Sequence, residues 1–229
     1  PVGALNSYRD QYAGDLIMRE LEQKDYIEQS EMVMRTLRTF PEVSAISGRY
    51  IGTGIIQSNY KNAVGPNQNA DEVRVKFSGI DPAAEELVTD LGARMLEGEM
   101  LAPHEEGYVI IGKNLLEQYT LGASVVSATT LKGVKTGSRV RITVNGNTQE
   151  YTVKGVLGSK VSDVSTRVYL SDSELRKLLG RTDKNVGEIA IRLHDPALAV
   201  SVRDDLRALG FASLARVETA RESQGAFLD

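Results

Sequence analysis

The order of predicted elements near the two ends of the chain constrains its fold most strongly. At the N-terminal side, "GDLIMREL" (14–21) predicts a short strand, and "EVSAISGRYIGTGIIQ" (42–57) predicts a long strand interrupted by glycine. Between them, "YIEQSEMVMRTLRTF" (26–40) places apolar residues on one helical face, and Pro41 ends that helix. The order is therefore strand, helix, strand. The residues of the helical face are Ile27, Met34 and Leu37.

The same order recurs near the C-terminal side. "VGEIAIRL" (186–193) alternates as a strand does, Asp195 predicts a helix N-cap with Pro196 at the first position, and "FASLARVET" (211–219) predicts a return strand. Gly210 closes the helix, whose buried stripe is predicted to be Leu198, Val202, Leu206 and Leu209. Two such units around a middle segment predict an α+β fold with a split βαβ subdomain of ferredoxin or porter type.

The middle of the chain predicts an inserted β-rich subdomain. Strands are indicated by "EVRVKFSGI" (72–80), "GYVIIG" (107–112) and "TRVYL" (166–170). Two alternating runs meet at Asn145-Gly146, which is typical of a two-residue type I′ hairpin turn. "SDSELRKLLG" (171–180) predicts a helix with a capping box formed by Ser171 and Glu174.

These patterns divide the chain into subdomains and tails. Residues 14–71 and 186–220 are predicted to form the porter-like subdomain, and 72–185 the inserted one. Residues 1–13 and 221–229 are the tails. In the first tail, Leu5, Tyr8 and Tyr12 have helical spacing, so this segment is either a helix or a frayed end.

Composition excludes several classes of protein. Of the 229 residues, 27 are basic and 31 acidic, and their even spread creates no field that would attract nucleic acid. The absence of cysteine excludes thiol nucleophiles, disulfides and thiolate metal sites. No apolar run approaches the roughly 18 residues that cross a bilayer, and no signal peptide opens the chain. We expect a soluble piece of a larger protein, since it starts at Pro1 and ends abruptly after "QGAFLD".

No group of residues predicts catalysis, a cofactor or a metal. His104 and His194 are far apart in sequence and lack the spacing that directs two imidazoles at one metal. Gly52 and Gly54 resemble a phosphate loop but fall within a strand pattern, where a bend or bulge explains them better. No GxSxG or Walker motif occurs. The acid pairs are predicted to be solvated surface residues; they are Glu85-Glu86, Glu105-Glu106 and Asp204-Asp205. The chain is therefore not expected to be an enzyme.

Seven segments, in order, resemble the extracytoplasmic (periplasmic) core domain of ABC transporter permeases of the MacB/FtsX superfamily. The resemblance runs from about residue 14 to 227. The segments are "FPEVSAISGRY" (40–50), "VKFSGIDPAAEEL" (75–87), "LEGEMLAPHEEGYVIIGKNLLEQYTLG" (96–122), "VKTGSRVRIT" (134–143), "EYTVKGVL" (150–157), "VYLSDSELRKLLG" (168–180) and "IAIRLHDPALAVSVRDDL" (189–206).

The resemblance implies a role that needs no local catalysis. In this family the domain lies outside the membrane between the first two transmembrane helices, and combines a porter-like βαβ subdomain with a sabre-like insertion. Its implied function is to couple ATP-driven motion to the handling of a substrate or an adaptor protein. The implied partners are an ABC ATPase subunit or domain, a second permease copy and a periplasmic adaptor. No cofactor is implied.

Some residues depart from the family pattern. The lipoprotein-releasing branch has a long projection where this chain has the tight turn at Asn145, Gly146 and Asn147, so the hairpin is predicted to be a structural rib. Residues 123–135 form an extra stretch, predicted to be a surface loop or hairpin, and Ser138 replaces the usual acid. Two other readings stay open: a stand-alone ligand-binding or adhesion domain, and a hydrolase that uses His104 with nearby acids.

Overall fold

The chain is an α+β protein, which confirms the predicted class. The computed structural model describes residues 2–62, 65, 69–120 and 129–225. The strands are β1 (Leu16–Arg19), β2 (Val43–Ser58), β3 (Asp71–Ile80), β4 (Met95–Gly98), β5 (Tyr108–Gly112), β6 (Arg139–Val144), β7 (Asn147–Leu157), β8 (Arg167–Ser171), β9 (Glu188–Leu193) and β10 (Arg216–Thr219).

Most of the α-helices are short. They are α1 (Val2–Tyr8), α2 (Ser30–Leu37), α3 (Pro82–Val88), α4 (Glu117–Thr120), α5 (Ser162–Ser165), α6 (Asp172–Leu179), α7 (Ala199–Ala208) and α8 (Ala220–Gly225). A π-helix (Arg9–Ala13) follows α1, and four 3-10 helices occur at Leu91–Arg94, Lys113–Leu115, Pro196–Leu198 and Phe211–Ser213. Within the described ranges, no helix combines the length and apolar character that a membrane span requires.

The chain forms two compact units. Unit 1 takes the described residues of Pro1–Ile51, Ile80–Leu91 and Thr182–Asp229, and unit 2 those of Gly52–Gly79 and Gly92–Arg181. Strand β2 contributes its first residues to unit 1 and the rest to unit 2.

Unit 1 contains an antiparallel sheet in the order β10-β1-β9-β2. The segment β1-α2-β2 and the segment β9-α7-β10 interleave in this order, so each strand of one segment lies beside a strand of the other. The main apolar core consists of Leu16, Met18, Ile27, Val33, Leu37, Ile46, Val186, Ile189, Ile191, Leu193, Val202, Leu206, Phe211, Ala215 and Val217.

The two predicted helices of unit 1 are present but differ in detail. Helix α2 is shorter than predicted, and Ile27 is buried ahead of it. The Asp195 cap is confirmed, since its carboxylate accepts from Ala197 N at 3.0 Å. The predicted stripe of the second helix is wrong at both ends, because Leu198 is 39% and Leu209 57% exposed.

The two ends of the described chain lie side by side in unit 1. Helix α1 continues into the π-helix, so the helical reading of the first tail is correct, and Tyr8 and Tyr12 are buried. The hydroxyl of Tyr8 lies 2.8 Å from Ser223 Oγ in α8, within hydrogen-bond distance. Helices α1 and α8 therefore contact each other directly.

Unit 2 contains a closed circuit of strand pairs. The circuit runs from β2 through β3, β8, β5, β7 and β6 back to β2. Strand β4 pairs with the C-terminal residues of β7, from Gly155 to Leu157. Strand β5 is parallel to β7. These strands carry most of the buried side chains of the unit, including Ile56, Val75, Phe77, Val109, Ile110, Ile111, Val140, Ile142, Val144, Tyr151, Val153 and Val168.

The predicted hairpin joins β6 to β7 and its tip meets helix α6. Asn145 and Gly146 have φ values of 51° and 79°, and Val144 is opposite Asn147, as a two-residue type I′ turn requires. Asn147 Nδ2 donates to Leu178 O at 2.8 Å, and Asn145 Nδ2 to Leu179 O at 3.3 Å. Since the last carbonyls of a helix lack partners within it, the turn caps α6.

The capping box predicted for α6 does not form. The Ser171 side chain makes no capping hydrogen bond. The carboxylate of Glu174 instead accepts from Gly107 N at 3.1 Å and from the Tyr151 hydroxyl at 3.2 Å. A tertiary contact has replaced the local one.

Part of the predicted surface insert is built into unit 2. Residues 123–128 lie outside the described residues. Of the rest, Leu131 and Val134 are buried, and Leu131 N donates to Leu115 O at 2.8 Å. The prediction of a surface segment is therefore wrong for Leu131 and Val134, whereas Lys132 and Gly133 between them are exposed.

Gly54 should tolerate no side chain. It lies in β2 opposite β6, where an added Cβ would be 2.2 Å from Thr143 O, so close strand approach explains this glycine. We expect Gly54→Ala to lower the free energy of unfolding by about 1–3 kcal/mol, the usual cost of overpacking. Gly3→Ala is the matched control, because nothing lies within 4 Å of its added Cβ. Urea denaturation of both variants checks this; equal midpoints would refute it.

Candidate functional site

A buried ionic network in unit 1 is centred on Arg49. Its Nε donates to Glu85 Oε1 at 2.7 Å and its Nη2 to Glu85 Oε2 at 2.9 Å, so the pair is bidentate. Its Nη1 donates to Glu188 Oε1 at 3.2 Å. The side chains of all three residues are at most 5% exposed.

The sheet register brings Arg49 and Glu188 together. Arg49 on β2 is directly opposite Glu188 on β9, and Glu188 is in turn opposite Arg19 on β1. Directly opposed residues of antiparallel strands project from the same face, so the three charges form a row of alternating sign.

Helix α3 supplies the second carboxylate. Asp81 caps the helix by accepting from Ala83 N at 3.1 Å, and Pro82 occupies its first turn. This start places Glu85 over the sheet. Two hydroxyl groups complete its hydrogen bonds: Thr89 Oγ1 donates to Oε2 at 2.8 Å, and Ser47 Oγ to Oε1 at 3.2 Å.

The N-terminal helical segment joins the network through Tyr12. The Tyr12 hydroxyl donates to Glu188 Oε2 at 2.7 Å, and Arg49 Nη2 donates to the Tyr12 carbonyl at 2.7 Å. The guanidinium carbon of Arg49 is 5.2 Å from the centre of the Tyr12 ring, within range of a cation–π contact. The network thus binds both the backbone carbonyl and the side chain of Tyr12 in the π-helix.

A second set of contacts fixes the junction between the π-helix and β1. Asp15 Oδ2 accepts from Leu193 N, and Asp15 N donates to Ile191 O. Gly14 has φ 68°, and an added Cβ would be 2.5 Å from Ile191 O. Arg192 Nη2 donates to Val88 O at 2.6 Å, which ties the last turn of α3 to the same strand. The junction therefore cannot shift along β9 without breaking these bonds.

The pKa values of Arg49 and Glu85 shift in the directions that keep both side chains charged. Burial alone would lower the pKa of Arg49, but the charge and hydrogen bonds of Glu85, together with Glu188, outweigh burial and raise it. Burial alone would raise the pKa of Glu85, but the Arg49 charge and hydrogen bonds from Arg49, Thr89 and Ser47 lower it. The arrangement is suited to holding elements together.

Both histidines considered in the sequence analysis occupy exposed positions. His104 has a side chain 76% exposed, with Nδ1 4.0 Å from Asp172 Oδ1, and belongs to unit 2. His194 is exposed and belongs to unit 1. Among the described residues, no group of three or more His, Asp or Glu side chains could hold a metal ion.

The prediction for the acid pairs is wrong at Glu85 and incomplete at Glu105, whose partly buried carboxylate lies 2.6 Å from Lys154 Nζ. Asp204 and Asp205 are exposed, as expected for solvated acids. Glu85, by contrast, is 2% exposed and belongs to the network. The prediction used the local pattern at the start of a helix, where acids usually favour solvent, and that pattern does not show which face a neighbouring sheet covers.

Sequence reasoning missed Tyr12, Arg49 and Glu188 as a group. The available signal was a charged residue in the middle of each of two apolar strand patterns, "AISGRYIG" (45–52) and "VGEIAIRL" (186–193). Pairing them needed the register between strands that are far apart in sequence, and periodicity alone does not supply that register.

Comparison with known proteins identifies relatives of the fold. The family model described as MacB-like periplasmic core domain matches residues 3–209. One similar structure is the extracellular domain of the noncanonic ABC-type transporter YknZ from Gram-positive bacteria, with a TM-score of 0.56 and 12% identity, covering 89% of this chain and 97% of that one. Another is the periplasmic region of MacB from Actinobacillus actinomycetemcomitans, with a TM-score of 0.56 and 13% identity. The match covers 93% of this chain and 92% of that one. No curated protein sequence matches significantly.

Removing the central cation should destabilise unit 1 strongly. Arg49→Met leaves two carboxylates buried without their shared partner, so we expect a loss of about 3–5 kcal/mol in the free energy of unfolding. Arg38→Met, at an exposed position after α2, is the control and should change stability by less than about 0.5 kcal/mol. Denaturant unfolding of both variants measures the difference, and comparable losses would contradict a central role for Arg49.

Acid should weaken the same network through Glu85. Because its pKa is lower in the folded chain than the ordinary 4.5, the unfolded state binds the proton more readily. The stabilisation is therefore complete above pH 4.5 and is lost as pH falls through the lower folded value. The stability gap between wild type and Glu85→Gln should narrow over that acidic window. Glu86→Gln, at the exposed neighbouring position, should run parallel to wild type; a constant gap for Glu85→Gln would refute the prediction.

Proposed function

Since this chain belongs to the family of MacB-like periplasmic core domains of ABC transporter permeases, we propose that it is a non-catalytic module that transmits motion. In this proposal, ATP-driven movement of membrane helices is passed to the domain outside the membrane. The domain then acts on a substrate or on an adaptor protein. The ATP is hydrolysed on a separate nucleotide-binding domain or subunit.

The contact between the two end helices carries the proposal. Because α1 contacts α8 through Tyr8 and Ser223, the first and last helices of unit 1 lie together, as we expect of a domain attached to two membrane helices. The end helices would receive motion together.

The Arg49 network supports the next step. Motion applied to α1 reaches the π-helix, where Tyr12 is bonded to β9 through Glu188 and to β2 through Arg49. Packed interiors respond to a displacement by moving as a body or switching arrangement, because they do not deform continuously. A displaced π-helix would thus carry the sheet with it.

We assign the subdomains within this proposal. The interleaved sheet of unit 1, close to the predicted residues 14–71 and 186–220, would be the porter-like part. Unit 2, close to the predicted residues 72–185, would be the sabre-like part. The partners would be the ATPase, a second permease copy and a periplasmic adaptor.

The test follows the distance between two copies of the domain in the full transporter. The 229 residues contain no cysteine, so Ser201→Cys on the exposed side of α7 provides a single spin-label site within this domain, and any cysteine elsewhere in the transporter is first replaced by serine. In nanodiscs that contain the permease and its ATPase, we expect the label-to-label distance to change when ATP is bound. The same distance with and without ATP would overturn the proposal.

Removal of the Tyr12 hydroxyl tests the role of the Arg49 network separately from the proposal that the domain transmits motion. Tyr12→Phe removes the bond to Glu188 and should reduce the ATP-dependent distance change while ATP hydrolysis continues. Tyr108→Phe, at a partly exposed position in unit 2, is the matched control. If ATP changes the distance equally in both variants, motion transmission stands but Tyr12 does not carry it.

A further inference from the structure

Unit 2 has an open groove beside the first half of β7. The groove has a volume of about 650 Å³ and is bounded by three parts of the unit. One is the segment that leads into β5, with Glu106 and Gly107; the second is β7 near Thr148; the third is α6, with Glu174 and Lys177. The volume is within the range of ligand sites in proteins, roughly 300–1,000 Å³.

The groove continues the line of strand β5. The parallel pairing of β5 with β7 begins at Tyr108 opposite Thr152 and runs toward the C-terminal end of β7. Residues 147–151 precede this pairing in β7. Among the described residues, they pair with a strand on one side alone, which is β6. The place where an earlier part of β5 would lie is the groove.

The backbone of β7 presents hydrogen-bonding groups to this place. In an antiparallel pair, alternate residues direct both backbone groups away from the partner strand. Thr152 is one of these, because its N–H donates to Gly107 O at 2.9 Å on the β5 side. By the same alternation, Glu150 and Thr148 direct their N–H and C=O groups toward the groove. Such an edge is a template for an added strand.

The floor of the groove carries a negative charge. Glu174 is 9% exposed, and its carboxylate is held by two neutral donors, Gly107 N and the Tyr151 hydroxyl. Burial raises the pKa of Tyr151, and the charge and hydrogen bond of Glu174 raise it further. The Tyr151 hydroxyl therefore keeps its proton and donates to Glu174. At the rim, Lys177 lies 4.0 Å from Glu106, so those two charges offset each other. The charge left over is that of Glu174.

We propose that this groove binds an extended peptide segment, which adds as a strand to the Thr148–Glu150 edge of β7 and places a lysine or arginine side chain on Glu174. Backbone hydrogen bonds give the affinity and the buried carboxylate selects the cationic side chain. The inference concerns a site in unit 2 and does not depend on the coupling role proposed for the domain.

The test uses the 229-residue chain and a capped pentapeptide of alternating valine and lysine. Fluorescence anisotropy gives the Kd, and hydrogen exchange by NMR reports the amides of Thr148 and Glu150. We expect both amides to become protected when the peptide binds. The matching valine–glutamate peptide should bind at least about tenfold more weakly, as expected when a charge-assisted hydrogen bond is lost.

Two pairs of variants separate the backbone contribution from the charge. Thr148→Pro removes an N–H group that is not bonded to β6. It should weaken peptide binding and abolish the protection of the Glu150 amide from hydrogen exchange. Thr148→Ala keeps the N–H group and should bind the peptide as wild type does. Glu174→Gln should lower the preference for the lysine peptide about tenfold. The double variant Glu106→Gln/Lys177→Gln removes both rim charges together and should change this preference little.

Several results would overturn the inference. Equal affinity for the two peptides would refute selection by the charge of Glu174. Binding without protection of the Thr148 and Glu150 amides would refute the addition of a strand to β7. Saturation by n-butylamine alone with the same change at Glu174 would make the groove a small-amine site. Self-association of the chain that Thr148→Pro abolishes would assign the edge to a second copy.

Discussion

The structure of unit 1 depends on the charge of Arg49. A guanidinium with a side chain 5% exposed would be very unfavourable alone, since transferring an ion from water to a protein interior costs several kcal/mol even after relaxation. One strand, one α-helix and the π-helix therefore have to supply acceptors at fixed positions. Glu85, Glu188 and the Tyr12 carbonyl do so, and each comes from a different element. The cation makes the relative placement of these elements a condition of folding.

This type of interaction favours accuracy of placement over stability. A buried ion pair adds little net stability compared with apolar residues of the same shape, but the loss of one partner is expensive. Apolar packing between α3 and the sheet would allow small sliding at low cost. The bidentate bond between Arg49 and Glu85 forbids sliding, because both bonds, at 2.7 and 2.9 Å, weaken together when the helix moves. The motion-transmitting role proposed for this domain needs this property more than it needs additional stability.

Local patterns in the sequence predicted elements well and tertiary contacts poorly. The Asn145-Gly146 turn, the Asp195 cap and the alternating strands were all predictable, because each depends on residues adjacent in the chain. The roles of Glu85 and Glu174 were not. Each sits in the first turn of a helix, where local reasoning favours solvent or a capping box. In the fold each is recruited by distant groups, Arg49 in one case and Gly107 with Tyr151 in the other.

The same contrast explains why the sequence contains no recognisable catalytic motif, whereas the Arg49 network and the free edge of β7 become apparent only in the fold. Catalytic motifs are recognisable because chemistry demands particular residue types at particular spacings. The coupling role proposed for the Arg49 network requires only that opposite charges meet inside the protein. The proposed strand addition requires only backbone groups, which every sequence has. Arg49 and Thr148 are ordinary residues in ordinary strand patterns. The roles proposed for them depend on the register of β2 with β9 and of β7 with β6, so they can be inferred only once the sheets are known.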